Sequence, residues 1–286
     1  MELSNINHIK ALLQRHGFHF SKALGQNFLI DSTVCPRMAQ AATQGGDFAV
    51  IEIGPGIGVL TKELSAFAKK VVAIELDTRL IPILDETLSE CKNTEVINAD
   101  AMKLDLEALI KEKFEGLSVS VCANLPYYIT SPIIMGLLEA RLPLDNITVM
   151  VQKEAAERIC AAPGERDCGA VSAAVRYYSD PEILFHVGKE SFLPSPKVDS
   201  AVISLKLRKN PPISPKSEKM FFKCVKAAFA QRRKTVLNSV SASLSIDKSV
   251  LSKALEEKGI SPLKRAEALS MDELCALSDA VFDILG

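Results

Sequence analysis

The sequence predicts an α/β fold: a doubly wound, mainly parallel sheet joined to a smaller all-helical domain. Three observations carry that expectation. Five short β-rich runs recur at intervals of about 20 to 28 residues in the first half, with helical patterns between them, which suits a strand plus a crossover helix. The runs are apolar almost without interruption, as strands covered on both faces must be. Beyond residue 207 the pattern turns to short helical segments with no convincing strand.

The chain has 286 residues, 48% hydrophobic and 24% charged, which suits a soluble globular protein with a sizeable core. No apolar run reaches the length needed to span a bilayer, so no membrane partner is expected. Seven cysteines are scattered without a C-x-x-C pair. Neither a metal site nor a disulfide framework is therefore expected, and a reducing cytoplasm is the default location.

The elements follow in order. "MELSNINHIKALLQRHG" reads as an amphipathic helix and lacks the apolar core of a signal segment. "KALGQNFLID" (22–31) reads as a structured loop. Lys22, Gly25, Gln26 and Asn27 are polar or small, Phe28, Leu29 and Ile30 form an apolar plug, and Asp31 is placed to cap the next helix. The five strand candidates are "FAVIEI" (48–53), "KVVAIE" (70–75), "TEVINA" (94–99), "SVSVCAN" (118–124) and "NITVMVQ" (146–152). Ser131 and Pro132 read as the N-cap and first position of the helix after the fourth strand. "EILFHV" (182–187) and "SAVISLKL" (200–207) lie too close for a large crossover helix and suggest an antiparallel pair at the sheet edge. "RKNPPISPKSE" (208–218), rich in proline and charge, reads as a linker. The expected division is 1–211 and 212–286.

The strand ends carry the chemistry. Gly54, Gly56 and Gly58 follow the first strand in "VIEIGPGIG", where glycine permits a tight turn and close approach of backbone to a ligand. A dinucleotide fingerprint wants G-x-G-x-x-G/A, but its sixth position here is Val59. The G-x-G-x-G order, with Glu52 two residues before it, resembles the first motif of class I S-adenosylmethionine-dependent methyltransferases. Glu75 ends the second strand, where a carboxylate accepts from both hydroxyls of a ribose, and Asp100 follows the third, where it faces an adenine amino group. Singly, either acid is also an ordinary loop or cap residue. Their order along one sheet edge favours a nucleoside-bearing cofactor, S-adenosyl-L-methionine.

The fourth strand ends in Asn124-Leu125-Pro126-Tyr127, which resembles the (Asn/Asp)-Pro-Pro-Tyr-type motif of enzymes that methylate exocyclic amino groups of bases. Alone it also suits a strand-ending turn. The adenine amine is a poor nucleophile because its lone pair is delocalised. Acceptors around it, the Asn124 side-chain oxygen and the Leu125 carbonyl, hold the amine and favour a localised pair. Pro126 biases Leu125 to an extended form, and Tyr127 offers a ring to a base drawn from its stack. Tyr128 reads as packing.

Eight segments together resemble the ribosomal RNA adenine dimethyltransferase family: "LGQNFL", "EIGPGIGVLT", "IELD", "NADAM", "NLPYYITSPI", "VQKEAAERI", "FLPSPKVDSAV" and "AFAQRRKT". They run from about residue 20 to 240, and the match is nearest to the branch that acts on bacterial 16S rRNA. The resemblance implies that Asn27 and Leu29 touch the cofactor, with Gly54 and Gly56 against it. Glu75 would hold the ribose, Asp100 would face adenine, and Asn124 would bridge cofactor and amine. Tyr127 and Phe192 would sandwich the adenine. It also implies the activity: N6,N6-dimethylation of two adjacent adenosines near the 3' end of 16S rRNA, in the small subunit or its assembly precursor, by a monomer. One departure is Cys168, where the family usually has an aromatic. A resistance-type 23S rRNA methyltransferase and a non-catalytic assembly or RNA-binding factor are the alternatives.

Net charge is −1, yet residues 206–240 hold ten basic residues against one acid, Glu218. Lys219, Lys223 and Lys226 share one helical face, with Phe222, Val225 and Phe229 on another. With Arg232, Arg233 and Lys234 they are expected to bind RNA phosphates, which makes 212–286 the RNA-binding domain.

Overall fold

The computed structural model describes residue 3, residues 5–20 and residues 26–286. Residues 22–25 of the "KALGQNFLID" loop, Lys22 and Gly25 among them, lie outside the described residues. The strands are β1 (Phe28–Leu29), β2 (Phe48–Ile53), β3 (Lys70–Glu75), β4 (Thr94–Asn98), β5 (Ser118–Asn124), β6 (Asn146–Gln152), β7 (Ser179–Val187), β8 (Phe192–Leu193) and β9 (Ser200–Leu207). The first-half helices are α1 (Ile6–Arg15), α2 (Val34–Thr43), α3 (Val59–Phe67), α4 (Ile81–Thr87), α5 (Leu106–Lys113) and α6 (Thr130–Glu139). Those that follow are α7 (Lys153–Cys160), α8 (Ala170–Tyr178), α9 (Glu218–Phe229), α10 (Val236–Leu244), α11 (Lys248–Glu257) and α12 (Met271–Leu285).

The chain divides into two compact units, 1–156 with 180–207, and 157–179 with 208–286. In the first unit, seven strands form one sheet in the order β4-β3-β2-β5-β6-β9-β7. β2, β3, β4, β5 and β6 pair in parallel, and β9 runs antiparallel to β6. This is an α/β Rossmann-like sheet of the class I methyltransferase type. Strand order reverses between β2 and β5, so the crevice outside their carboxyl ends is where such a sheet binds ligands. β2, β3, β5 and β6 are buried on both faces, which explains why their sequences are nearly continuous apolar runs. Val34, Met38, Ala39 and Ala42 of α2 and Leu60 and Leu64 of α3 cover Val50, Val71, Cys122 and Met150 of the sheet.

Three local expectations change. β7 begins at Ser179 rather than at residue 182, since α8 passes directly into extended backbone there. Its Pro181 is tolerated because β7 is the last strand of the sheet. The helix expected to start at Pro132 starts two residues earlier, at Thr130, after the 3-10 turn Tyr127–Ile129. Pro132 thus sits in the first turn, where its missing N–H would have had no intrahelical partner. Asp31 does not cap α2 itself; its Oδ1 accepts from the Thr33 amide and hydroxyl in the turn just before.

In the second unit α9 buries Phe221, Cys224 and Val225 against Val240, Leu251, Leu255, Leu274, Leu277 and Val281. Each helix has a clear start: Ser217, Thr235 and Asp247 accept from amides of the first turn, and Ser270 with Glu273 forms a capping box. The boundary drawn from sequence at residue 211 leaves 157–179 with the first domain. In the structure Ala173 and Tyr177 of α8 pack into the helical cluster, and the Tyr177 and Tyr178 hydroxyls donate to Glu218.

Candidate active site

A pocket of the first unit lies at the carboxyl edge of the sheet, and it gathers the sequence-predicted residues of that unit. Asn27, Leu29, Gly54, Gly56, Glu75, Asp100, Asn124, Leu125, Tyr127 and Phe192 all line it.

The turn after β2 has Gly54, Gly56 and Gly58 at φ of 72°, 61° and 88°, a region that side chains with a Cβ enter only at a cost. Gly56 also lies under Phe28, whose ring would be 3.2 Å from an added Cβ. At Gly58 an added Cβ would lie 3.0 Å from both Leu88 Cδ2 and Thr87 Oγ1. Gly58→Ala is therefore expected to cost about 2 kcal/mol or more, read as a lower midpoint in urea with unchanged m-value. A midpoint equal to wild type would contradict the backbone account.

Glu75 ends β3 with its carboxylate buried. Oε1 accepts from the Asp77 amide at 2.7 Å and Oε2 from the Gly56 amide at 3.3 Å. Burial pushes its pKa up, against those two hydrogen bonds. Asp77 is tied to Arg79 and to Gln26 Nε2 at 2.8 Å, which anchors the Gln26 end of the N-terminal loop beside β3. The Arg79 guanidinium holds the Asp77 carboxyl below its usual range. Asp100 uses Oδ1 to accept from the Met102 amide, and its Oδ2 lies 3.4 Å from Lys103 Nζ.

At the end of β5 the Asn124 Nδ2 donates to the Asn27 carbonyl at 3.4 Å. With its nitrogen held, the amide presents Oδ1 on its other branch. The Leu125 amide donates to the Met150 carbonyl, and the Leu125 carbonyl accepts no hydrogen bond among the described residues. The Pro126 carbonyl is used by the Ile129 amide and the Thr130 hydroxyl. Two acceptors, Asn124 Oδ1 and Leu125 O, are thus left at the pocket wall. Tyr127 is half-buried, its hydroxyl 2.9 Å from Ser200 Oγ; burial raises its pKa. Phe192 reaches the pocket from the core, 3% exposed and paired with Leu29. Tyr128 is not packing: it is 57% exposed and lines the pocket. Among the described lining residues there is no histidine and no lysine.

Glu52, noted in the sequence only as the acid ahead of the glycine turn, is given no role there. Glu52 is fully buried in β2, lines the pocket, and its Oε2 has no hydrogen-bond partner among the described residues. Burial pushes its pKa up to about 8; the nearby Thr61 hydroxyl, itself without a hydrogen-bond partner among the described residues, pulls it part of the way back, and Glu75 adds a smaller push. The signal was present, as the one charge inside the apolar run "FAVIEI".

In the second unit Lys219, Lys223 and Lys226 of α9 are exposed, as are Arg232, Arg233 and Lys234 in the turn before α10. Arg232 donates to the Arg166 carbonyl, and Lys216 is engaged by Asp283 of α12. Cys168 is 9% exposed, so its thiol presents little surface to a partner.

Comparison with known proteins gives a consistent result. The family described as "Ribosomal RNA adenine dimethylase" matches residues 17–282. A "Ribosomal RNA small subunit methyltransferase A" of Geobacillus thermodenitrificans (strain NG80-2) is 48% identical over 279 residues, 96% of this chain and 95% of the relative. The protein of that name from Clostridioides difficile (strain 630) is 48% identical over 98% of this chain and 96% of its own length. Among solved structures, a dimethyladenosine transferase from Plasmodium falciparum superposes with a TM-score of 0.71 at 26% identity, covering 87% of this chain and 95% of that one. The 23S rRNA methyltransferase ErmE gives a TM-score of 0.69 at 27% identity, covering 89% and 99%.

Proposed function

The chain belongs to the ribosomal RNA adenine dimethylase family, as an S-adenosylmethionine-dependent rRNA adenine dimethyltransferase, and from that premise we propose its target and the residues that act on it. The target is N6 of two adjacent adenosines near the 3' end of 16S rRNA, in the small ribosomal subunit or its assembly precursor, and the enzyme works as a monomer. The observation that carries the mechanism is the pair of open acceptors, Asn124 Oδ1 and Leu125 O, beside the glycine turn. Identity of 48% across nearly the whole chain to relatives named for the small subunit supports the choice of target.

The pocket suits the cofactor. Glu52 Oε2 is a buried acceptor without a partner among the described residues, and a cationic ammonium such as the one on the methionyl group would satisfy it. Gly54 and Gly56 leave the backbone open to close approach, Glu75 offers a carboxylate to the ribose, and Asp100 lies where adenine would end. Asn27 and Leu29 close the site from the N-terminal side. S-Adenosylmethionine, when bound, supplies a methyl carbon on a sulfonium.

The chain's own groups do the rest. In the first transfer Asn124 Oδ1 and Leu125 O accept the two amine hydrogens and aim the nitrogen, restoring lone-pair density that the purine ring withdraws; in the second, the one remaining N–H is held by one of the two. Tyr127 and Phe192 hold the extruded ring, and the bond to Ser200 fixes the Tyr127 ring angle. No dedicated base is required, because the N-methylated cation is acidic enough to lose its proton to water. Catalysis is then positioning and electrostatics. Exposed Lys219, Lys223, Lys226, Arg232, Arg233 and Lys234 would position RNA through phosphates and carry no sequence reading.

Incubating the purified protein with radiolabelled cofactor and unmethylated small or large ribosomal subunits tests this. Label is expected in small subunits, as N6,N6-dimethyladenosine on nucleoside analysis. Transfer to large subunits alone would replace the target with that of the resistance-type enzymes.

A further inference from the structure

A second concavity of the first unit is lined by Gln152, Lys153, Glu154, Lys189, Lys197 and Asp199. It adjoins the base-binding wall. β6 and β9 end together at the pair Gln152–Ser200, and the Lys153 amide donates to the Asp199 carbonyl one residue further on. Ser200 is the residue whose hydroxyl holds Tyr127. On the other side, Lys189 opens the 3-10 turn that leads into Phe192. Both rings proposed to hold the adenine are therefore tied to residues next to this cleft: Tyr127 to Ser200, which follows Asp199, and Phe192 at the end of the turn that Lys189 opens.

Its charge is unbalanced. Lys153, Lys189 and Lys197 are exposed, and none of their ammonium groups pairs with a carboxylate among the described residues. The two acids, Glu154 and Asp199, offset part of that charge and leave a net of +1 around the cleft, and Asp199 also accepts the Lys189 amide at 3.1 Å. Three unpaired ammonium groups around one concavity repel each other and raise the local potential for an anion. A nucleotide drawn out of its stack carries a phosphate on either side, and those phosphates must run along the protein beside the pocket.

We propose that Lys153, Lys189 and Lys197 form a phosphate-binding cleft for the RNA backbone adjoining the target adenosine. This rests on the proposed function, since it is that reading which puts an extruded base against Tyr127. The cleft would set the register of the strand at the chemical step, a task separate from the general RNA affinity of the helical unit. A backbone contact of this kind carries no base preference, so it serves either of two neighbouring adenosines.

The test compares wild type, K153A/K189A/K197A and K153R/K189R/K197R. Two quantities are read between 50 and 200 mM salt: methylation of small subunits, and equilibrium binding of an adenine-containing single-stranded RNA. The Ala variant is expected to keep kcat and cofactor affinity. Its KM should rise about tenfold at the low-salt end, and its log–log salt slope for RNA should be shallower by about 2, three phosphate contacts being lost. The Arg variant is expected to match wild type. An unchanged KM and slope in the Ala variant overturns the cleft, as does an Arg variant as impaired as the Ala one. If wild type methylates no small subunits but the oligonucleotide slope still falls in the Ala variant, the cleft stands and the choice of target falls.

Discussion

Replacing Asn124 by alanine is expected to lower methyl transfer by about 10²–10³-fold, the scale of losing one preorganised polar contact to a reacting group. The reason lies in the two acceptors at the end of β5. Leu125 O is fixed by the backbone, because the Leu125 amide is tied to Met150 and Pro126 follows. Asn124 Oδ1 is fixed only because its own nitrogen is held by the Asn27 carbonyl. With one acceptor gone the amine is free to rotate about the remaining contact, and its lone pair returns to the ring. The fold is expected to survive, since Asn124 is only part-buried and its β5 backbone pairing with Met150 is unaffected. Single-turnover rates, with equilibrium dialysis for the cofactor, separate the two effects. Cofactor affinity should change little beside the rate; wild-type turnover by the variant would refute the amine-holding role.

Glu52→Gln is expected to act in opposite directions on stability and on cofactor binding. In the folded protein the carboxyl titrates near 8, against an ordinary value of 4.5, because burial disfavours its charge. Below pH 4.5 both folded and unfolded forms hold the proton, and Glu52 makes no difference. Between the two values only the folded form holds it, so stability falls as pH rises, by about 1.4 kcal/mol per unit, and levels off above 8. Glutamine is uncharged in both states and removes this slope. At pH 7 the variant should unfold at higher denaturant concentration than wild type, by an amount of order 3 kcal/mol. The raised pKa of Glu75 adds a decline of the same sign in both proteins. Cofactor binding should weaken in the variant, as the unpartnered Oε2 is the acceptor proposed for the ammonium. Since that cation favours the ionised carboxyl, wild-type affinity is expected to rise between pH 6 and 8, and the rise should vanish in the variant. Parallel stability–pH curves for the two proteins would refute a neutral buried Glu52.

The site was legible where residue type and position alone define a task. Glycines followed by an acid, an acid and an Asn-x-Pro-Tyr turn, each closing a strand, can be read because parallel strands bring their carboxyl ends to one edge. Tyr128 and Glu52 show where that reasoning stops. Two adjacent tyrosines look equivalent in sequence, yet on a 3-10 turn their rings diverge, leaving Tyr127 half-buried on Ser200 and Tyr128 at 57% exposure. A carboxylate within an apolar run is visible as an oddity, but whether it is paired depends on neighbours far along the chain. The lysine cleft is similar. Residues 153, 189 and 197 share no periodicity, and only the antiparallel pairing of β6 with β9 sets them around one space.

By itself, then, the sequence determined the sheet's seven strands, the glycine turn, the order of ligand-facing strand ends and the basic character of α9. All of these follow from local pattern: apolar runs, backbone angles open only to glycine, and charge periodicity on a helix. The tertiary structure alone decided which polar groups lost water without gaining a partner, which ring faced outward, and where α8 packs. Those depend on burial, and burial is created by contacts between segments that the linear order keeps apart.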